Sequence, residues 1–251
     1  LENIIEAKRV YFLRIPIDIV PPDALEPIIL NLLDKKEHQQ IIFLSFSDFM
    51  KARRDKEYFR MLENAGLVIP LSKSLQNGMK FLKLDIPQQY EPFHFVIRTL
   101  GILENYRRSL YILGGKKQVT QISDNNLRSS FPGISMVGRY SGYYPKNMEK
   151  DIKTAIQKSN PSFLLIGDGI KKANSWVYQN RKHLNEGLSL YVKSIFQIIA
   201  GRKRRPDREK FLKGQSNIGK TILNPLKYYR LFQYIYYYIL LFISKIRSPK
   251  N

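Results

Sequence analysis

The 251-residue chain is 43% hydrophobic, enough for a buried core, and lacks cysteine, which excludes disulfides, thiolate nucleophiles and thiolate zinc sites. Its three histidines, His38, His94 and His183, stand too far apart for a histidine-rich centre, so no metal is expected. The net charge of +21, roughly half of it in residues 201–251, calls for an anionic partner.

Strand and helix signals alternate from the N-terminus. Arg14–Val20 reads as an extended edge segment, because Pro16 has no N–H for an inner ladder. Asp23 and Glu26 have the spacing of a capping box before the apolar stripe Ile28, Ile29, Leu32 and Leu33. Ile41–Leu44 is a buried-strand run, followed by one helix over about Asp48–Asn64. Leu67–Ile69 is the next strand, stopped by Pro70, and a further helix covers about Phe93–Asn105. Leu110–Leu113 then runs directly into Gly114-Gly115, with a helix over about Gln118–Ser130. Ile134–Val137 is a strand leading to Gly142-Tyr143-Tyr144, and Asn147 is placed to cap the helix after it. Phe163–Ile166 leads into Gly167-Asp168-Gly169. This βαβαβ order predicts an α/β fold over residues 1–200, a Rossmann-like parallel sheet with helices on both faces. Residues 201–251 form a basic, amphipathic helical appendage.

A strand that ends in glycines and opens a helix suits phosphate, because backbone amides can approach the anion and the helix start adds positive charge. Gly114 and Gly115 with Lys116 make one such loop and Gly167 and Gly169 with Lys172 make a second; Gly142 and Tyr143, beyond the strand Ile134–Val137, are further candidate contacts for a nucleotide-sugar. The carboxylates form no recognisable pair; Asp48 and Asp168 stand out for their loop-edge positions. The lone Trp176 is expected on the core. In the tail, Arg202, Lys203, Arg204 and Arg205 form a dense cluster. Beyond it, Tyr228–Ile243 is short and tyrosine-rich for a span, and Lys227, Arg230, Lys245 and Arg247 accompany it. That combination reads as an interfacial helix on an anionic membrane surface. The long aliphatic run disfavours nucleic acid as the partner, and a tail helix docked in a homo-oligomer is the plainer alternative. No basic n-region with an apolar run opens the chain, so a cytoplasmic location is expected, peripheral to the inner face of the membrane.

At these motifs the chain resembles the WecG/TagA/CpsF family of bacterial glycosyltransferases, from about Ile15 to Arg205. Ala52-Arg53-Arg54-Asp55 through Pro70, Leu113–Lys116, Phe131-Pro132-Gly133, Val137-Gly138, Gly142-Tyr143-Tyr144, Ile166–Gly169, Lys172, Trp176, Phe196 and Ala200-Gly201-Arg202 follow the family's order. The resemblance implies transfer of an N-acetylmannosamine-like hexose from a UDP-sugar to a polyprenyl-diphosphate-linked glycan, without a metal or other cofactor. It also implies departures in the chemistry. Leu71-Ser72 stands where the family has an Asp-Gly pair carrying its proposed base, and a leucine takes no proton. Phe43-Leu44-Ser45, Lys171–Asn174 and Lys193–Gln197 likewise keep little of the family's polar set. A relative that binds nucleotide-sugar or lipid-linked glycan, or scaffolds a partner, without turnover is the second expectation.

Overall fold

The computed structural model describes residues 6–214 and 229–247. A two-stranded antiparallel hairpin, β1 (Lys8–Phe12) and β2 (Ile15–Ile19), opens the chain. Leu13 and Arg14 both take positive φ in its turn, the conformation a two-residue hairpin loop demands. No Asn-Gly pair announces that turn, which is why β1 goes unseen in the sequence. Helix α1 (Leu25–Leu33) follows, with Ala24 at its N-cap and no side-chain capping bond, so Asp23 does not cap it as the spacing suggested.

The main sheet is parallel, with six strands in the order β4 (Leu67–Pro70), β3 (Gln39–Leu44), β8 (Leu188–Tyr191), β7 (Phe163–Ile166), β5 (Ser109–Leu113) and β6 (Ser135–Tyr140). The inner strands are apolar on both faces because helices cover both. Helices α2 (Phe46–Ala52) and α3 (Lys56–Glu63) link β3 to β4. The single helix expected there breaks at Arg53-Arg54-Asp55, and the Asp55 carboxylate accepts from the amides of Glu57 and Tyr58 to start α3. Helix α4 (Lys73–Phe81), not foreseen, and α5 (Pro92–Asn105), capped by Glu91, carry the chain across to β5. Then come α6 (Lys117–Ser130), α7 (Glu149–Ser159) and α8 (Ala173–Asn180) between successive strands, and α9 (Ile195–Ile199) after β8. Met148, not Asn147, occupies the N-cap of α7.

Right-handed crossovers decide which face each helix covers. Moves from β4 to β5 and on to β6 put α5 and α6 with α1 and α9 on one face, around Phe43, Leu110, Ile112 and Leu165. Moves in the other direction put α2, α3, α7 and α8 on the opposite face. Trp176 packs there as expected, its indole N–H donating to Glu149 at 2.9 Å. The hairpin closes that layer beside β4. Arg9 grips the buried Asp18 through two guanidinium nitrogens at 2.8 Å, and Asp18 in turn accepts the Val68 amide at 2.6 Å.

The chain continues through α10 (Arg208–Leu212) to α11 (Tyr229–Arg247). Helix α11 lies on α2 and α4: Tyr237 is fully buried among Phe12, Phe46 and Phe49, Tyr234 stacks on Phe46 at 4.1 Å, and the Tyr237 hydroxyl donates to the Ser74 carbonyl at 2.8 Å.

Candidate functional site

Neighbouring strands send their chains to opposite faces twice in this sheet: β5 leads to α6 while β7 leads to α8, and β3 leads to α2 while β8 leads to α9. A crevice beyond the carboxyl ends of such strands is where ligands bind in open α/β sheets. The three glycine loops meet there. A Cβ on Gly114 would lie 2.7 Å from the Gly167 nitrogen, and one on Gly142 would lie 2.9 Å from the Gly114 Cα. Gly114 donates to the Tyr140 carbonyl (2.9 Å), Gly115 to Asp168 (2.7 Å), Gly142 to Gly115 (2.9 Å) and Gly167 to Leu113 (2.8 Å). These glycine amides therefore stitch the loops together, while the Phe196 ring packs beneath Gly115 and Gly167. The amides beyond them belong to the first turn of α6, whose N-cap, Lys116, provides no side-chain capping bond. Lys116 and Lys117 are exposed beside that turn. Thr120 holds the loop from below by donating to the Gly114 carbonyl.

Around this centre stand polar groups from four elements. Asp48 lies in the first turn of α2; the Ser45 hydroxyl donates to its carboxylate at 2.6 Å, and the Asp48 amide donates back to that hydroxyl at 3.2 Å. Asp168 accepts the Ser194 amide at 3.0 Å, and Ser194, at the turn after β8, takes positive φ. Tyr191, the last residue of β8, lies within electrostatic reach of both acids. Burial first, and then the negative charge of Asp168, with a smaller contribution from Asp48, push its phenol pKa up. Tyr58 of α3 is raised further, by burial and then by Asp48. Lys172 enters α8 in left-handed backbone with its side chain exposed, close to a small cavity of about 70 Å³ that it lines with Tyr58 and Tyr178. Tyr143 is 62% exposed at the rim.

The basic cluster reaches the same edge. Gly201 turns the chain after α9, with the amides of Arg202 and Lys203 donating to the Gln197 carbonyl at 2.8 and 3.0 Å. That reversal brings the Lys203 ammonium to the Ser194 hydroxyl at 3.0 Å and Arg205 over the Phe93 ring at 5.4 Å. Arg202 and Arg204 are exposed. Further on, Lys73 at the start of α4 donates to the Leu212 carbonyl at 3.2 Å. Residues 201–214 thus run along the sheet's carboxyl edge. Lys227 lies outside the described residues, as does the side chain of Arg230.

Tyr191 and Ser194 are the site residues that the sequence did not disclose, whereas Lys203 was expected within the basic cluster. The signal available was Gly187 followed by the alternating Leu-Ser-Leu-Tyr of β8. Leu71 follows β4, half-buried, with its amide bonded to the Leu44 carbonyl at 2.9 Å. Among the described residues no group of three or more His, Asp or Glu converges as a metal would need, and no helix is long and apolar enough to cross a membrane. One side of α11 is nevertheless apolar and open, with Phe232, Ile235, Ile239, Phe242 and Ile246 each at least half exposed.

The family model described as Glycosyl transferase WecG/TagA/CpsF family matches residues 10–251. The chain is similar to an N-acetylglucosaminyldiphosphoundecaprenol N-acetyl-beta-D-mannosaminyltransferase of Bacillus subtilis (strain 168), 18% identical over 72% of this chain and 70% of the relative. It is also similar to a protein of the same description from Bacillus spizizenii, 17% identical over 69% of this chain and 66% of that relative.

Proposed function

The chain belongs to the WecG/TagA/CpsF family of glycosyl transferases, and from that premise we propose that it transfers an N-acetylmannosamine-like hexose from a UDP-sugar to a polyprenyl-diphosphate-linked acceptor at a membrane surface, in surface-polysaccharide or teichoic-acid-type assembly. The observation that carries this reading is the convergence of the Gly114, Gly142 and Gly167 loops at the start of α6, on the sheet edge that the basic segment 201–205 also reaches. A helix start attracts a diphosphate through its first-turn amides, and Lys116, Lys172 and Lys203 add full positive charges around the crevice. Positive charge there stabilises the leaving diphosphate as the bond to the anomeric carbon breaks. Tyr143 offers an exposed ring at the rim for the base or the sugar.

Names of the two Bacillus relatives specify a lipid-diphosphate-linked N-acetylglucosamine acceptor and an N-acetylmannosamine donor sugar. A lipid-linked acceptor requires the enzyme to work at a bilayer, and the open apolar side of α11 with its terminal Lys245 and Arg247 suits the inner membrane face. Calorimetric titration with UDP and UDP-N-acetylmannosamine, followed by UDP-release assays with a lipid-diphosphate-linked N-acetylglucosamine analogue, tests the reading. Binding and acceptor-dependent release are expected. Binding without release would favour the non-catalytic alternative that Leu71 raises, and absence of binding would overturn the nucleotide-sugar assignment.

A further inference from the structure

The crevice holds two carboxylates, and their surroundings differ. Neither Asp48 nor Asp168 forms an ion pair among the described residues, a condition they share with Asp23 and Asp151. Asp168 is bound to a backbone amide, that of Ser194, which fixes the turn leading from β8 into α9. That carboxylate is committed to the fold. Asp48 keeps company with hydroxyls: Ser45, which touches it at 2.6 Å, and the phenols of Tyr58 and Tyr191. Hydroxyl rotors can swing away when a substrate hydroxyl arrives; a backbone amide cannot.

Its position fits as well. β3 and β4 pair in parallel with Leu44 opposite Pro70, so Ser45 and Leu71 emerge side by side, one strand spacing apart. Leu71 packs on the core and offers no proton acceptor. A carboxylate at that edge comes from the adjoining strand's helix: Asp48, in the first turn of α2. Resting on the transferase reading above, we propose that Asp48 is the general base of the reaction, supplied from the end of β3 rather than from the end of β4. As the acceptor oxygen bonds to the anomeric carbon, its proton passes to the Asp48 carboxylate. The bond between that carbon and the diphosphate breaks, its electron pair leaving on UDP.

Asp48→Asn tests this, since asparagine can still accept from the hydroxyl of Ser45, the residue that caps α2. Turnover is expected to fall about 100-fold or more, the usual contribution of a positioned base, while UDP affinity by calorimetry stays within about twofold of wild type. Retained UDP binding also reports an intact fold. Asp48→Glu is expected to recover part of the turnover. Asp48→Asn working at the wild-type rate would overturn the assignment, and so would UDP affinity falling in step with turnover. A wild-type chain that releases no UDP would instead sink the transferase reading itself.

Discussion

His38 lies at the opposite edge of the sheet, where it lines a cleft of about 720 Å³ with Lys36, Asn160 and Arg181. Its Nδ1 faces the Asn185 carbonyl at 3.2 Å and its Nε2 meets the Ser189 hydroxyl at 2.5 Å. The neutral ring satisfies both partners, by donating from Nδ1 and accepting at Nε2. Burial pushes its pKa down from 6.5 to about 4. The unfolded chain therefore binds a proton that the folded chain refuses, so the contribution is full above the unfolded value and is lost as pH falls toward 4. Between pH 7 and pH 5 this amounts to about 2 kcal/mol. Urea titrations at both pH values are expected to show His38→Gln losing that much less stability than wild type; equal losses would refute the effect. The same scale shows what the sequence could disclose. Gly114, Gly142 and Gly167 announce themselves as loops at strand ends. Their reason for being glycine is mutual contact and the Phe196 ring, each far away along the chain, and no local pattern reports such meetings.

Elements with strong periodicity were legible: α5, α6, β5 and β7 fall where the apolar spacing puts them. β8 and α4 were not. β8 interrupts its apolar residues with Ser189, unlike the unbroken run of β7, and α4 carries a glycine in its middle, so neither rises above its flanks. The tail run reads as a helix in sequence, but its seat on α2 and α4 depends on Gly78. A Cβ at Gly78 would fall well inside contact distance of the Tyr237 hydroxyl and 2.7 Å from the Phe12 ring. Gly78→Ala is expected to unseat α11 and speed amide exchange over Tyr229–Arg247 about tenfold or more, the effect of losing about 1.4 kcal/mol of local stability. Alanine favours helix over glycine by about 1 kcal/mol, so α4 itself gains and cannot be the source. Unchanged exchange in α11 would show that the seat tolerates a methyl group.

On the scale of the whole molecule, α11 shows the core its buried Tyr237 and Leu241 and shows solvent the stripe from Phe232 to Ile246. A helix already docked on one side can enter a lipid interface with the other without leaving the protein. Phe232→Ser with Phe242→Ser is expected to abolish flotation with anionic liposomes while UDP binding stays unchanged, each phenylalanine being worth about 1.5–3 kcal/mol when fully buried. Flotation equal to wild type would remove α11 from membrane contact. Composition had disclosed the positive charge of the tail; that residues 201–214 lie against the sheet edge required the fold, because Lys203 meets Ser194 only through the reversal at Gly201. The strand order has its own consequence for biosynthesis. Among the described residues β8 is the last strand in chain order, yet it sits between β3 and β7 and joins the pair β4-β3 to the trio β7-β5-β6. The pair and the trio can therefore join into one sheet only after Tyr191 has left the ribosome, so Asp48 and the glycine loops come to a common edge last.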